Sequence, residues 1–118
     1  MRSQLLQDRA YINVTGADAA NFLQSLLTND INKLNSQVAI YALLLTPNGR
    51  YISDFFVTKY NKGYLLELPK MRFEIVLKKL KIYKLRSKVI LEPVDFNVIY
   101  SSELIKSKLS YEDPRLVN

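Results

Sequence analysis

The residues from Thr46 to Val57 read TPNGRYISDFFV, a turn sequence followed by an apolar strand that contains one carboxylate. Proline, asparagine and glycine at 47–49 favour a tight turn, so this stretch predicts a hairpin between two strands. In an unbroken strand alternate side chains share a face. One face then carries Arg50, Ile52, Asp54 and Phe56, and the other carries Tyr51, Ser53, Phe55 and Val57. Because both faces of the strand are mostly apolar, Asp54 is the residue that needs an explanation.

Two interpretations of Asp54 follow from its position. In the simpler one, the carboxylate pairs with a nearby cation, for which Arg50 is the candidate. In the functional one, the carboxylate lies in an apolar wall and accepts hydrogen bonds from a ring nitrogen of a heterocycle. The spacing of the residues does not choose between the two.

The composition predicts a single globular domain, residues 1–118, and excludes several kinds of chemistry. The chain is 48% hydrophobic and 24% charged, a balance typical of a folded protein. It contains no cysteine and no histidine, which removes disulfides, thiolate chemistry, the usual zinc sites and a histidine general base. No apolar run has the length of a signal-peptide core or a membrane span, so we expect a cytoplasmic protein without a membrane partner.

The net charge of +6 is concentrated in one segment. Residues 70–88 hold eight basic residues and one acidic residue, a balance of +7, which leaves −1 for the rest of the chain. Such a segment is most often a solvated helix face, and it also suits an anionic ligand such as a polycarboxylate. Nucleic acid is the less favoured partner, because aromatic residues do not alternate with the basic ones and no helix-turn-helix or RNA-binding signature is present.

Hydrophobic periodicity predicts the element order β-α-β-β-β-α-β-β. Strands are predicted at 8–14, 37–45, 50–60, 64–68, 88–91 and 96–100, with turns at 47–49, 61–63 and 92–95 and a polar loop at 32–36. The first helix follows residues 15–18 and ends near Asn29 and Asp30, which are most simply a helix stop and a turn. The second helix spans 70–85, and its predicted apolar face consists of Met71, Ile75, Val76, Leu80, Ile82 and Tyr83. A further short helix is predicted at 102–109. The fold class is therefore α+β, an antiparallel or mixed sheet with two main helices packed on one side.

Several motifs occur in a fixed order along the chain. They are VTGADA at 14–19 with FLQ at 22–24, LTNDI at 27–31, GRYISD at 49–54, YKLRSKV at 83–89 and DPR at 113–115. The series resembles the YgfZ-type folate-binding proteins, which are relatives of the glycine-cleavage T-protein, an aminomethyltransferase. The family's Lys-Gly-Cys-Tyr-x-Gly-Gln-Glu motif would lie beyond the last residue of this sequence. The resemblance is therefore to the amino-terminal folate-binding domain, truncated relative to the family.

The resemblance implies a tetrahydrofolate site and a link to the assembly or maintenance of iron-sulfur clusters in client enzymes. The family carboxylate on the pterin side of the folate corresponds to Asp54, and Arg50, Tyr51 and Asn29 are the other residues expected at the site. Where the T-protein often has two consecutive acids, this chain has Ser53 before Asp54. That difference favours the YgfZ branch over aminomethyl transfer, and whether the chain is an enzyme stays open.

Two other functions remain as alternatives. The first is an aminomethyltransferase-like fragment, which requires both folate and a protein that carries the aminomethyl group. The second is a non-catalytic interaction module or remnant, whose open site is covered by a second copy of the chain or by a different partner chain. Client iron-sulfur proteins are the partners expected if the resemblance holds.

Overall fold

A computed structural model describes residues 8–95, which form a five-stranded antiparallel sheet with two helices on one face. The strands are β1 (Arg9–Thr15), β2 (Ile40–Leu45), β3 (Tyr51–Tyr60), β4 (Gly63–Pro69) and β5 (Ile90–Val94), in the order β2-β3-β4-β1-β5 across the sheet. The helices are α1 (Ala19–Leu26) and α2 (Phe73–Tyr83), and short 3-10 helices span Ile31–Asn35 and Lys70–Arg72. The predicted α+β class and the element order as far as β5 are confirmed. The strand predicted at 96–100 and the helix predicted at 102–109 lie outside the described residues.

The hydrophobic core lies between the two helices and one face of the sheet. Alternate residues of each strand point into it, and each helix contributes the apolar residues of one side. Its fully buried side chains include Ile12, Leu23, Phe55, Leu66 and Leu80. This layer arrangement leaves the other face of the sheet for the polar residues described below.

Both predicted hairpin turns are present. Gly49 has a φ of +84°, and its amide donates to the Thr46 carbonyl at 2.8 Å to close the turn between β2 and β3. Asn61 and Lys62 have φ values of 48° and 64° and form the two-residue turn between β3 and β4. Two successive residues with positive φ match the twist of the flanking strands, which explains why a short loop suffices.

Two predicted loops are wrong. The segment predicted as a polar loop at 32–36 lies mostly in the 3-10 helix Ile31–Asn35, because the Asp30 carboxylate accepts a hydrogen bond from the Asn32 amide and caps it. The turn predicted at 92–95 is largely part of β5, which continues through Pro93. Because β5 is an edge strand, a residue without an amide donor is tolerated there.

The apolar face predicted for α2 is only partly correct. Val76 and Leu80 are fully buried and Tyr83 packs against the core, as predicted. Phe73 and Leu77 complete the buried face together with Val76 and Leu80. The four residues are spaced by three, one and three positions, so they lie on one side of the helix. The other three residues of the predicted face are exposed: Met71, Ile75 and Ile82. The sequence offers two apolar stripes, and packing on the sheet decides which one is inside.

Two of the sequence motifs meet where β1 leads into α1. The Asp18 amide donates to the Lys88 carbonyl at 3.1 Å, and the Asp18 carboxylate accepts from the Lys88 amide at 2.8 Å. Gly16 has a φ of +110°, and a Cβ at this position would collide with the Lys88 carbonyl. The VTGADA motif therefore holds the beginning of α1 against the segment that leads into β5.

Between residues 8 and 95, no helix is long and apolar enough to cross a membrane. The cytoplasmic location stays a prediction.

We expect Gly16→Ala to lower the free energy of unfolding more than Gly49→Ala does. Both glycines have positive φ, so each alanine costs about 1–2 kcal/mol in backbone strain. Only at Gly16 does the new methyl group meet backbone atoms, which adds about 1–3 kcal/mol, because a Cβ at Gly49 meets nothing within 4 Å. Urea denaturation followed by circular dichroism measures both variants. Equal losses would show that the contact with Lys88 is not as close as the structure has it.

Candidate functional site

The carboxylate of Asp54 is held by two tyrosines on the sheet face that points away from the helices. The Tyr41 hydroxyl donates to Oδ2 at 2.6 Å, and the Tyr51 hydroxyl donates to Oδ1 at 3.1 Å. Tyr41 lies on β2 and is partly buried, whereas Tyr51 is the first residue of β3 and is 49% exposed. Each carboxylate oxygen therefore receives one hydroxyl donor, and one of the two tyrosines is open to solvent.

A β-bulge in β3 brings Tyr51 to the side of Asp54. Leu44 pairs with Ser53, but the next residue of β2, Leu45, pairs with Tyr51. Ile52 is therefore an extra residue of β3 that has no partner on β2. The alternation of faces is interrupted there, and Ile52 joins the hydrophobic core while Tyr51 reaches Asp54. The prediction that Ile52 shares a face with Asp54 is therefore wrong, as is the placement of Tyr51 on the opposite face.

The same bulge determines the position of Tyr41. A hairpin without the extra residue would pair Asp54 with Ala42 and would place Tyr41 on the core face. In the observed register Asp54 pairs with Leu43 and Tyr41 pairs with Phe56, so both tyrosines and the carboxylate share one face. The ring centroids of Tyr41 and Phe56 are 5.4 Å apart, which gives the site an aromatic wall.

Two arginines lie against these aromatic rings. The guanidinium carbon of Arg9, on β1, is 5.7 Å from the centroid of Phe56, and its Nε donates to Glu67 Oε2 at 3.1 Å. The guanidinium carbon of Arg72, the residue before α2, is 5.4 Å from the centroid of Tyr51. Contacts of this kind orient planar cations on aromatic faces. The site therefore consists of one carboxylate among aromatic side chains, with two guanidinium groups on those side chains.

Asp54 is ionised at neutral pH. Burial by itself raises its pKa, because it disfavours the charged form. The hydrogen bonds from Tyr41, Tyr51 and its own backbone amide, together with the charge of Arg9, outweigh burial and hold the pKa of Asp54 below its ordinary value. Burial, followed by the charge of Asp54, raises the pKa of Tyr51. The site thus offers a charged acceptor beside neutral hydroxyl groups.

The structure brings two of the four predicted site residues together, Asp54 and Tyr51. Arg50 is exposed on the hairpin turn, where its amide donates to Thr46 Oγ1 at 3.0 Å. Within the part of the chain that the structure describes, Arg50 forms no ion pair with Asp54, and the arginine whose charge lowers the pKa of that residue is Arg9. Arg50, the candidate partner in the simpler interpretation of Asp54, is therefore wrong, and the nearby cation that acts on this carboxylate is Arg9. A contact between Arg50 and a ligand stays a prediction.

Asn29 supports the site indirectly. Its side-chain amide donates to the Tyr41 carbonyl at 3.0 Å, and its side-chain oxygen accepts from the Asp30 amide at 2.7 Å. The neighbouring Thr28 Oγ1 accepts from the Leu43 amide at 2.9 Å. These bonds hold the LTNDI motif along the strand that carries Tyr41. A contact between Asn29 and a ligand stays a prediction.

The sequence patterns do not point to two residues of the site, Tyr41 and Arg9, and they indicate Arg72 only as one member of the basic segment 70–88. Tyr41 lies in the strand predicted to pair with the strand of Asp54, so the predicted hairpin places the two residues near each other. Without the bulge, however, the hydroxyl of Tyr41 would point away from Asp54. Arg9 and Arg72 come from segments distant in sequence from Asp54, and no local spacing connects them with it.

The fold and the site define the class of this protein as an α+β domain with one ionised carboxylate between tyrosines on its sheet. The model of the family described as the GCVT N-terminal domain matches residues 7–96, and the chain belongs to that family. The resemblance inferred from the ordered motifs is thereby confirmed.

Two relatives and one solved structure place the chain more closely. It is 34% identical over 94 residues to the iron-sulfur cluster assembly factor IBA57 homolog, mitochondrial, of Pyricularia oryzae, covering 76% of this chain and 24% of that protein. It is 47% identical over 55 residues to an aminomethyltransferase of Caldanaerobacter subterraneus subsp. tengcongensis, covering 47% of this chain and 15% of that protein. The chain thus spans about a quarter or less of the length of these relatives.

The crystal structure of glycine cleavage system aminomethyltransferase T from Bartonella henselae has the same fold. The TM-score is 0.68 at 15% sequence identity, and the superposition covers 81% of this chain and 30% of that chain. The described domain therefore has the architecture of part of a T-protein, as the resemblance implied.

We expect Tyr41→Phe to raise the pKa of Asp54 toward its ordinary value, because the 2.6 Å hydrogen bond to the charged carboxylate is lost. A carboxylate whose pKa is lowered in the folded state stabilises the fold above its unfolded-state pKa, and this stabilisation disappears as the pH falls through the folded-state pKa. The variant should therefore lose about 1 kcal/mol of unfolding free energy near neutral pH, a value reduced for the partial exposure of Asp54, and less in strong acid.

Carboxyl carbon chemical shifts followed through a pH titration give the pKa of Asp54, and urea denaturation at both pH values gives the stabilities. Tyr60→Phe, which removes a hydroxyl from the other end of β3, is the matched control and should leave the pKa of Asp54 unchanged. An unchanged pKa in Tyr41→Phe would show that the hydroxyl does not hold the carboxylate in its charged form.

Proposed function

We propose that this chain binds tetrahydrofolate through Asp54 and acts in the assembly or maintenance of iron-sulfur clusters. The observation that carries the proposal is the ionised carboxylate of Asp54 beside the rings of Tyr41, Tyr51 and Phe56. A pterin has N–H donors along one edge and flat faces, so an acceptor among aromatic side chains complements it. Membership of the GCVT N-terminal domain family supports the assignment of the ligand class.

The arrangement of the carboxylate suits this ligand. The two tyrosines each donate to one oxygen of the Asp54 carboxylate. An ionised carboxylate is an acceptor only, which suits the ring N–H and amino N–H donors along one edge of a pterin. Because Tyr41 and Tyr51 already orient the carboxylate and keep it charged, little reorganisation accompanies binding.

Nearby cations suit the other end of the ligand, the carboxylates of the folate glutamate. Arg72 lies on the ring of Tyr51 and is near the start of the basic segment 70–88. Arg50 is exposed on the turn immediately before Tyr51. Guanidinium groups bind carboxylates in a bidentate manner, and we assign the glutamate carboxylates to these two arginines.

The iron-sulfur part of the proposal rests on the similarity to the IBA57 homologs, whose name describes an iron-sulfur cluster assembly factor. Ser53 is fully buried, and its hydroxyl donates to the Asp54 carbonyl at 3.1 Å, so this strand presents a single carboxylate on the face of the site. The T-protein often has two consecutive acids at this point of the strand, whereas this chain has one. The difference favours folate binding and cluster maintenance over aminomethyl transfer. Client iron-sulfur proteins, and a partner chain over the site, belong to this proposal.

We expect isothermal titration of the purified chain with tetrahydrofolate to show saturable binding, and Asp54→Asn to weaken it by about tenfold or more. The substitution removes the charge that accepts the pterin N–H groups while it preserves the shape of the side chain, and a hydrogen bond to a charged group is worth about 1.5–3 kcal/mol.

Asp8→Asn is the matched control, because it removes an exposed carboxylate at the beginning of β1 and should bind as the unmodified chain does. Circular dichroism establishes that both variants are folded. Absence of binding in the unmodified chain, or equal affinities for Asp54→Asn and Asp8→Asn, would contradict the proposal.

A further inference from the structure

The outer face of α2 carries exposed apolar residues where a solvent-facing helix surface is normally polar throughout. The helix packs on the sheet through its other side, and Met71, Ile75 and Ile82 are 86%, 47% and 52% exposed. Leu85, in the turn after the helix, is 81% exposed. Single exposed apolar residues are ordinary, but these four follow one another from the 3-10 helix before α2, through α2, to the turn after it. Such a patch is a feature of interaction sites.

The spacing of these residues is that of a coiled-coil seam. From Met71 to Ile75, Lys78, Ile82 and Leu85 the intervals are four, three, four and three residues, the alternation of a and d positions in a heptad. Within α2 itself the seam is Ile75, Lys78 and Ile82, a row one side chain wide. A helix that lies on a membrane needs a broader apolar face, so the narrow row favours a partner helix over a bilayer.

Basic side chains predominate on the flanks of the row. Within α2 the e and g positions of this register are Glu74, Lys79 and Lys81, and Arg72 lies one residue before the helix. Residues at these positions contact the partner helix and select it by charge. A second copy of the chain would bring these cations together, which is unfavourable, whereas a helix with acidic e and g positions would pair with them.

We propose that the outer face of α2 docks an acidic amphipathic helix of a partner protein. The apolar a and d residues of that helix cover Met71, Ile75 and Ile82, and its acidic flanks pair with Lys79 and Lys81. An acidic residue opposite Lys78 specifies the register, as single polar residues in such seams do. Ile75, Ile82, Lys79 and Lys81 lie on α2, none of them is among the residues assigned to the folate site, and the inference does not depend on folate binding.

The test uses the full chain and a synthetic three-heptad peptide with glutamate at e and g and leucine at a and d, apart from one central seam position that carries glutamate to face Lys78. Glutamates at these positions also keep the peptide from pairing with itself. The matched control peptide has lysine at e and g. We expect saturable binding of the glutamate peptide by isothermal titration, with a gain of helical circular dichroism, and at least tenfold weaker binding of the lysine peptide.

Two double variants of the chain examine the two parts of the surface. Ile75→Ser with Ile82→Ser removes apolar area and should weaken binding of the glutamate peptide by about tenfold or more. Lys79→Glu with Lys81→Glu reverses the flanking charge and should transfer the preference to the lysine peptide. Val38→Ser, which removes an apolar side chain 42% exposed before β2, and Lys33→Glu, on the first 3-10 helix, are the controls and should bind as the unmodified chain does.

The outcomes separate a partner helix from the other classes of partner. Binding of neither peptide, or equal binding by the unmodified chain and the isoleucine variant, would overturn the proposal. The proposal would also be overturned if the chain did not bind the glutamate peptide but used the isoleucines and lysines of α2 to bind another partner. The alternatives to examine are vesicles of phosphatidylserine and phosphatidylcholine, and a single-stranded RNA. Asp54→Asn should bind the glutamate peptide normally, which distinguishes a failure here from a failure of the folate proposal.

Discussion

The extra residue at Ile52 is the constraint on which the candidate site depends. In a hairpin of regular register, Tyr41 and Tyr51 would turn their hydroxyls toward the core, where an unpartnered hydroxyl costs about 1–3 kcal/mol. With the extra residue in β3, the hydroxyls of both tyrosines reach Asp54, and Ile52 fills the core. Bulges commonly re-aim side chains near functional sites, and here one bulge aims two tyrosines at one carboxylate.

The electrostatics of the site follow from that register. A carboxylate against an apolar sheet would tend toward its neutral form, but two hydroxyl donors and a nearby guanidinium keep Asp54 charged. In the next cross-strand row, which contains Tyr11 and Glu67, burial has the larger effect on the pKa of the tyrosine. Tyr11 is buried opposite Glu67, and burial, opposed by the charge of Arg9, raises its pKa to about 12, so its hydroxyl stays neutral. Arg9 connects the two rows, because its charge lowers the pKa of Asp54 while its guanidinium pairs with Glu67.

Each of the family motifs within the described residues has a physical role in the structure. VTGADA and YKLRSKV meet through Gly16, Asp18 and Lys88, which ties α1 to the segment before β5. LTNDI holds β2 through Thr28 and Asn29. GRYISD carries the carboxylate itself. Two of these sets of contacts join segments that support the sheet and lie away from the carboxylate itself.

The sequence by itself determined the elements whose signals are local. The turns at 47–49 and 61–63, the order of strands and helices as far as β5, and Asp54 as the polar residue to explain all follow from backbone preferences and periodicity over a few residues. The ordered motifs also identified the family. These features are readable because each depends on neighbours in the chain.

Only the tertiary structure decided the rest, because register and burial depend on contacts between residues far apart in sequence. The bulge at Ile52 is set by pairing with β2, and Pro93 is accepted in β5 because that strand is at the edge of the sheet. α2 has two apolar stripes, and the sheet buries Val76 and Leu80 while it leaves Ile75 exposed. No local pattern contains that choice, since it is made by the free energy of packing the helix against the sheet.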